Sequence, residues 1–370
     1  MAIFIRRRTR VILAAALCIA SLTACGGGAG TPAATLPAPA TPPAPATLPP
    51  GPEHGLRAFV GVFGEPVVPR TLVDGVGGLA RFAYPHGVAI DARGNIYVAD
   101  TANEAVRQVT PAGAVTTLAR FAEGTLPNGL TVDSAGNVYF IGYADEVQRL
   151  TAAGTASLLA LPTALFDPLY RFQRAKAIGV DGAGNMYVAF RLALQFPEDC
   201  GSYGPHACQL GFKTSVQQLT PTGYWGTVAA VAGFQSSGMA VDRSGTVYLS
   251  GYAANTILKI TLSGQVTTFA GTSGEAGTAD GMGPAARFLR PDHMAADAAG
   301  NVYVDDSGNH TIRKITPDGR VTTIAGTAGS DTLTLGALPG SLPVIGGLAV
   351  DADGNLVVSV PNGLVKILLN

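Results

Sequence analysis

Short apolar runs alternate with polar turns along most of the chain. In one copy of the pattern, the apolar runs 87–90 and 96–98 flank Asp91-Ala92-Arg93-Gly94-Asn95. Asp and Asn favour a tight turn there, and Gly supplies a positive φ. The same unit recurs around six aspartates: Asp91, Asp133, Asp181, Asp242, Asp297 and Asp351. This spacing of apolar runs and turn residues predicts antiparallel strands joined by hairpins.

Each copy continues with two further apolar runs. In the fifth copy these are residues 311–316 and 321–326, on either side of the turn Pro317-Asp318-Gly319. Four strands in each of six copies, rich in β-branched residues, predict an all-β six-bladed β-propeller of four-stranded antiparallel blades rather than a sandwich.

The copies resemble NHL repeats, whose pattern includes Gly-Val-Ala-Val-Asp, then Gly-Asn-Ile-Tyr-Val-Ala-Asp, then Asn-x-Ile-Arg-Lys. The resemblance covers about Phe59 to Asn370. It is strongest in residues 84–118 and 289–326. It is weakest in the third copy, which residues 190–215 interrupt, and in the sixth, which lacks the tyrosine. Six NHL copies imply a six-bladed propeller, in agreement with the strand pattern.

The last copy ends after three strands, so its fourth strand must come from elsewhere. Residues 74–82 match residues 280–288 without a gap, and a strand at 266–270 precedes the second of these segments. By analogy, residues 59–63 are predicted to be the fourth strand of the sixth blade. This N-terminal strand would close the ring and remove an open sheet edge.

The residues at two repeat positions, two and three residues before each aspartate, predict how the blades pack. The position two residues before it holds a small side chain in every copy: Ala89, Thr131, Gly179, Ala240, Ala295 and Ala349. The position three residues before it holds a large one: Val88, Leu130, Ile178, Met239, Met294 and Leu348. Because side chains alternate between the two faces of a strand, neighbouring blades are expected to interdigitate, with the large residues in the core.

The N-terminal region predicts export. Arginines precede an apolar run from Val11 to Leu22, the layout of a secretory signal. Leu22-Thr23-Ala24-Cys25 resembles a bacterial lipobox, which implies lipidation of Cys25; the alternative is an ordinary signal with an incidental cysteine. Gly26 after the cysteine implies the outer membrane, facing the periplasm or the cell surface. The predicted organisation is a lipoprotein signal peptide at 1–24, a lipidated Pro/Ala/Thr-rich tether at 25–55 and a propeller at 56–370 of the cell envelope.

Charge and cysteine content narrow the possible partners. The chain has 24 Lys and Arg against 25 Asp and Glu, a formal net charge of -1. Together with 47% hydrophobic residues, this low net charge excludes a disordered chain. It also argues against a nucleic-acid partner, which requires an excess of basic residues. In an oxidising compartment Cys200 and Cys208 are expected to form a disulfide; two free thiols are the alternative.

The candidate site lies at the mouth of the predicted ring. The position five residues before each repeat aspartate holds a polar side chain in the first five copies and a glycine in the last. The polar side chains differ between copies, and the six residues in the order of the chain are His86, Asn128, Lys176, Ser237, Asp292 and Gly346. With His293, the five polar residues are predicted to bind ligand. Solvated loop polarity is the alternative explanation. Insertions at 155–174 and 190–215 are expected on the same rim, where long loops are usually functional or disordered.

These features favour a monomeric recognition module for a protein, peptide or cell-wall polymer. The alternatives are a metal-dependent lyase or lactonase that uses His86, Asp292 and His293 with Asn128, and a structural envelope component. Catalysis is disfavoured because the two histidines are one position out of register and Lys176 would repel a cation. No metal or other cofactor is expected.

Overall fold

The structure is a computed structural model that describes residues 54–161, 170–194 and 212–369. The described residues form 26 β-strands in six antiparallel sheets. The sheets follow one another along the chain as the blades of a propeller. This confirms the predicted all-β six-bladed fold.

The first three blades follow a short N-terminal strand. That strand is β1 (Gly55–Gly61). Blade 1 comprises β2 (Gly75–Val76), β3 (Pro85–Ile90), β4 (Ile96–Asp100), β5 (Ala105–Val109) and β6 (Ala114–Arg120). Blade 2 comprises β7 (Leu130–Val132), β8 (Val138–Ile141), β9 (Val147–Leu150) and β10 (Ala156–Leu158). Blade 3 comprises β11 (Tyr170–Val180), β12 (Met186–Leu194), β13 (Phe212–Leu219) and β14 (Trp225–Ala232).

The last three blades complete the ring. Blade 4 comprises β15 (Ser236–Val241), β16 (Val247–Gly251), β17 (Thr256–Ile260) and β18 (Val266–Ala270). Blade 5 comprises β19 (Gly281–Met282), β20 (Pro291–Ala296), β21 (Val302–Asp306), β22 (Thr311–Ile315) and β23 (Arg320–Ala325). Blade 6 comprises β24 (Gly347–Val350), β25 (Leu356–Val360) and β26 (Gly363–Leu368). Short 3₁₀ turns lie at Gly77–Leu79, Thr101–Asn103 and Gly283–Ala285.

The N-terminal strand closes the ring, as predicted. Strand β1 is the fourth strand of blade 6 and pairs antiparallel with β26, with Gly55 opposite Leu368 and Gly61 opposite Gly363. The predicted position of this strand, residues 59–63, was wrong by several residues. The reason is that the connection from Gly61 to Asp74 is longer than the corresponding connection from Gly271 to Asp280, so a gapless alignment places the strand too late.

Blades 1 and 5 each carry a fifth strand that was not predicted. The two-residue strands β2 and β19 pair with β6 and β23 respectively, outside the four-stranded sheet. They belong to the two segments that match in sequence, residues 74–82 and 280–288. The sequence match therefore reflects a duplicated local structure.

The repeat aspartates are turn residues, as predicted. In blade 5, Asp297 Oδ1 accepts hydrogen bonds from the amides of Ala299 and Asn301, both at 2.9 Å. Its Oδ2 accepts from Asn301 Nδ2 at 2.7 Å and from the Tyr303 hydroxyl at 3.1 Å. Burial and the adjacent Asp181 carboxylate raise the pKa of Tyr187, the corresponding tyrosine of blade 3, to about 12. Each of these tyrosines therefore remains a neutral hydrogen-bond donor to its turn.

The core is divided into six clusters, each of which joins two neighbouring blades. The inner strands β3, β7, β11, β15, β20 and β24 contact one another in a ring. At Gly179 a Cβ atom would lie 2.8 Å from Val241 Cγ2 of the next blade. This close approach confirms that the small position lets neighbouring blades interdigitate.

Several predictions concern parts of the chain outside the described residues. Cys25 and the Cys200–Cys208 pair lie there, as do the signal peptide and the tether as far as residue 53. Among the described residues, none forms a helix that is long and apolar enough to span a membrane.

Candidate functional site

All six blades line one cavity at the mouth of the ring. The inner strand of each blade starts at this mouth and runs to its aspartate turn, and the second strand returns to the mouth. The beginning of each inner strand and the end of each second strand therefore meet at the same end of the propeller. The cavity between them has a volume of about 650 Å³.

The structure brings the six predicted ligand-binding residues together. His86, Asn128, Lys176, Ser237, Asp292 and His293 all line the cavity. Gly346, at the same repeat position in blade 6, does not line it. A Cβ atom there would lie 2.4 Å from the backbone oxygen of Pro85, so this glycine reflects close packing against blade 1.

The floor of the cavity is a ring of large apolar side chains. One residue comes from each inner strand, and each is only 5–7% exposed: Val88, Leu130, Ile178, Met239, Met294 and Leu348. The sequence predicted these residues as core, and each does belong to one of the six core clusters. The structure adds that their exposed remainder lines the cavity, which thus has an apolar floor beneath a polar mouth.

Buried serines fix the backbone of the mouth. Ser250 Oγ of blade 4 donates to the backbone oxygen of Asp292 at 2.7 Å, and Ser359 Oγ of blade 6 donates to that of His86 at 2.7 Å. Ser237 Oγ donates to the backbone oxygen of Pro291 at 3.0 Å. The Ser237 hydroxyl is thus engaged with the neighbouring blade, while His86 and Asp292 are held on a rigid backbone.

One side of the mouth combines two histidines with a carboxylate. Burial and the nearby His293 lower the pKa of His86, although Asp292 opposes the shift. His86 is therefore a neutral imidazole at neutral pH and can both donate and accept a hydrogen bond. Blade 6 lies between the blades that carry these residues and contributes Gly347 and Leu348 to the lining of the cavity.

A second carboxyl group lies near Asp292. Asp305 is buried on β21 and accepts a hydrogen bond from Ser307 Oγ. Burial raises the pKa of Asp305 well above its usual range, and the neighbouring carboxylates of Asp292 and Asp306 raise it further. Negative charge near Asp292 is therefore costly.

The opposite side of the mouth is basic. Lys176 Nζ and Arg174 Nε each lie 3.5 Å from an oxygen of Asp145, which is on blade 2. Arg191 lies on β12 directly opposite Arg174 of β11, and its guanidinium stacks on the Phe212 ring at 4.5 Å. Blade 3 thus presents three cations to the cavity.

Sequence reasoning missed several lining residues that share one repeat position. This position is four residues after the tyrosine of the second strand, and in four blades it lines the cavity: Thr101, Tyr143, Arg191 and Tyr252. Comparing this position between copies would have found them. The predicted ligand-binding residues all come from the start of the first strand, and the predicted insertion at 190–215 contains Arg191 without singling it out.

The described residues contain no group of three or more His, Cys, Asp or Glu side chains placed to hold a metal ion. His86, His293 and Asp292 share the cavity but do not form such a group. What the arrangement offers is hydrogen-bonding and charged groups above an apolar floor, on a rigid frame. Cavities of this kind are typical of ligand-binding sites.

Comparison with known proteins identifies the repeat and the fold. Residues 82–108 match the NHL repeat. A protein of unknown function from Bacteroides thetaiotaomicron superposes with a TM-score of 0.63 at 17% identity, over 85% of this chain and 75% of that one. An auxiliary nutrient binding protein from the same organism superposes with a TM-score of 0.60 at 16% identity, over 85% and 76%.

A gluconolactonase from Xanthomonas campestris superposes with a TM-score of 0.54 at 16% identity, over 84% of this chain and 97% of that one. No curated protein matches the chain. At these identities the likeness shows the fold alone. The chain therefore contains a matched NHL repeat at residues 82–108 within a six-bladed β-propeller.

Proposed function

We propose that this chain is a membrane-anchored, extracytoplasmic propeller that recognises a ligand at the mouth of its cavity. The ligand is a protein segment, a peptide or a cell-wall polymer. The observation that carries the proposal is the convergence of His86, Asn128, Lys176, Asp292 and His293 on one cavity. These polar side chains differ from blade to blade, although the frame beneath them repeats.

The physical setting favours binding. Interlocked blades and buried serines hold the mouth rigid, so little conformational entropy is lost when a ligand binds. The apolar floor contributes the energy of burial, and the polar mouth supplies orientation. The fold shared with an auxiliary nutrient binding protein is consistent with ligand capture.

The anchoring part of the proposal rests on sequence. Cys25 would carry the lipid, and the Pro/Ala/Thr-rich tether would hold the propeller clear of the outer membrane. Export would also place Cys200 and Cys208 in an oxidising compartment, where they would form a disulfide. The propeller would act as a monomer without a cofactor.

Affinity capture from envelope extracts tests the proposal. The full-length protein and its His86→Ala/Asp292→Ala variant are immobilised, and the retained molecules are quantified by mass spectrometry. We expect the variant to retain at least about tenfold less of the ligand, equivalent to about 1.4 kcal/mol, with an unchanged melting temperature.

The matched control is Arg93→Ala/Arg243→Ala, which alters exposed side chains in the aspartate turns at the other end of the blades. Its capture should equal that of the wild type. Equal capture by the cavity variant, or its failure to fold, would contradict a binding role for His86 and Asp292.

The same two residues bear on a metal-dependent lyase or lactonase. The observation in its favour is that His86, His293 and Asp292 all line the cavity. Elemental analysis of the purified protein tests it. Near-equimolar zinc or calcium that is lost in His86→Ala/Asp292→Ala would favour the enzyme over the recognition module.

A further inference from the structure

Three consecutive blades present an aromatic–basic–aromatic series at the cavity mouth. Tyr143 of blade 2, Arg191 of blade 3 and Tyr252 of blade 4 occupy the same repeat position, and all three line the cavity. Equivalent positions of neighbouring blades lie side by side around the ring. The tyrosines are 72% and 42% exposed, so each offers ring surface to a ligand.

Arg191 is poorly neutralised by the residues that the structure describes around it. Within the described part of the chain, it makes no ion pair, and its guanidinium is held against the Phe212 ring. It faces Arg174 directly across the β11–β12 pair, and like charges in that arrangement are destabilising. Asp145 is the sole carboxylate that the described residues place against Arg174 and Lys176. Among the described residues, the basic side of the mouth therefore has an excess of positive charge.

We propose that the ligand carries an oxyanion beside a flat ring face, and that Arg191 binds the oxyanion while Tyr143 and Tyr252 contact the ring. This inference rests on the proposed recognition function and specifies the chemistry of its ligand. A guanidinium fork matches the two oxygens of a carboxylate, and the Phe212 ring restricts its orientation in advance.

The ring part of the proposal follows from the tyrosines. Exposed tyrosines combine a large apolar face with a polar hydroxyl group and lose little conformational entropy on binding, which makes them effective contacts for flat ligands. Neutral His86 on the other side of the mouth would meet hydroxyl groups. Acidic sugars and aryl carboxylates both have an oxyanion beside a ring face.

Isothermal titration calorimetry on the full-length protein tests the oxyanion. The probes are digalacturonic acid and phenylacetate, with the neutral analogues galactobiose and 2-phenylethanol, each up to about 10 mM. We expect at least one acid to bind, with its neutral analogue at least about tenfold weaker. Arg191→Gln should weaken binding of the acid by a similar factor, and the exposed control Arg93→Gln should not.

A matched pair of tyrosines tests the ring. Tyr143 and Tyr224 are both 72% exposed, but Tyr224 lies in the β13–β14 turn and does not line the cavity. Tyr143→Ala should weaken binding of the acid by about three- to tenfold, within the range of aromatic contacts, and Tyr224→Ala should leave it unchanged. The stronger of the two acids identifies a sugar acid or an aryl acid as the natural class.

Three results would overturn the inference: equal binding of acid and neutral analogue, no effect of Arg191→Gln, or no binding by any probe. Inorganic phosphate that binds as tightly as both acids, without dependence on Tyr143, would overturn the ring component. Each of these results leaves the recognition function to be decided separately by the capture experiment with His86→Ala/Asp292→Ala.

Discussion

Blades 1 and 5 place an arginine in their interior, whereas blade 3 places Arg174 and Arg191 at the cavity mouth. In blade 5, Arg313 is fully buried and donates to Asp306 and Asp280, both at 2.8 Å. Its guanidinium lies over the Phe288 ring at 5.1 Å. Arg107 of blade 1 makes the same contacts with Asp100, Asp74 and Phe82.

The remaining blades lack both members of the buried pair. Where blades 1 and 5 have the Asp and the Arg, the other four have neutral residues at both positions: Gly142 and Gln148, Phe190 and Gln217, Gly251 and Leu258, and Val360 and Val365. Each blade thus has either both the buried Asp and the buried Arg or neither of them, because a lone buried charge is far more costly than a pair. Blade 3 lacks the buried pair, and its Arg174 and Arg191 line the cavity instead.

The largest expected effect on stability comes from removing the buried arginine of blade 5. Arg313→Met leaves Asp306 buried without its cation and should lower the free energy of unfolding by about 3–5 kcal/mol. Urea titration measures the loss. Arg313→Leu/Asp306→Gly installs the pair that blade 4 has naturally and should recover at least half of it. A double variant as unstable as the single one would show that the charge pairing is not what blade 5 depends on.

A smaller effect is expected at Asp305, with which no arginine of the described residues forms an ion pair. Its raised pKa means that its stabilising contribution is complete below the usual aspartate pKa and is lost as pH rises through the raised value. Asp305→Asn should therefore raise the melting temperature at pH 8 by a few degrees, about 2–4 °C for each kcal/mol, and by less at pH 4. Differential scanning calorimetry tests this, with exposed Asp331→Asn as a control that should show no such pH dependence.

The smallest effect on stability is expected at the mouth. Arg191→Gln removes a cation that no carboxylate of the described residues pairs, and it relieves the repulsion with Arg174. The free energy of unfolding should change by no more than about 0.5 kcal/mol. Urea titration next to Arg313→Met makes the contrast direct. A loss approaching that of Arg313→Met would show that blade 3 uses its arginine structurally, as blades 1 and 5 do.

Local patterns in the sequence were sufficient to predict much of the fold. The number of blades could be predicted from the aspartate turns. Each turn is stabilised by hydrogen bonds that extend no further than the tyrosine six residues later, so a short stretch of sequence is enough to recognise it. The register of β1 was missed because loop length, not strand pattern, determines where it pairs. Ring closure itself was predictable, since blade 6 lacked a strand.

The part of the site that could be predicted is the part that follows from the direction of the inner strands. A fixed distance from the repeat aspartate identified five polar lining residues, because every inner strand starts at the mouth. Tyr143 and Tyr252 follow the second strands of their blades, whereas Arg191 lies within β12, which is longer than the other second strands, so the shared repeat position is hard to recognise in the sequence. The influence of Asp292 on His86 and Asp305 depends on packing between blades and has no counterpart in the linear pattern.

The pairing of β1 with β26 closes the ring by noncovalent contacts alone. Other neighbouring strands of the four-stranded blades are successive along the chain, whereas these two are held together by backbone hydrogen bonds and by packing of residues such as Leu56 and Val60. Release of β1 would open the ring without disturbing a hairpin. A free β1 from one molecule would fit the same edge of another, so exchange of this strand is the simplest route by which the propeller would form linked copies.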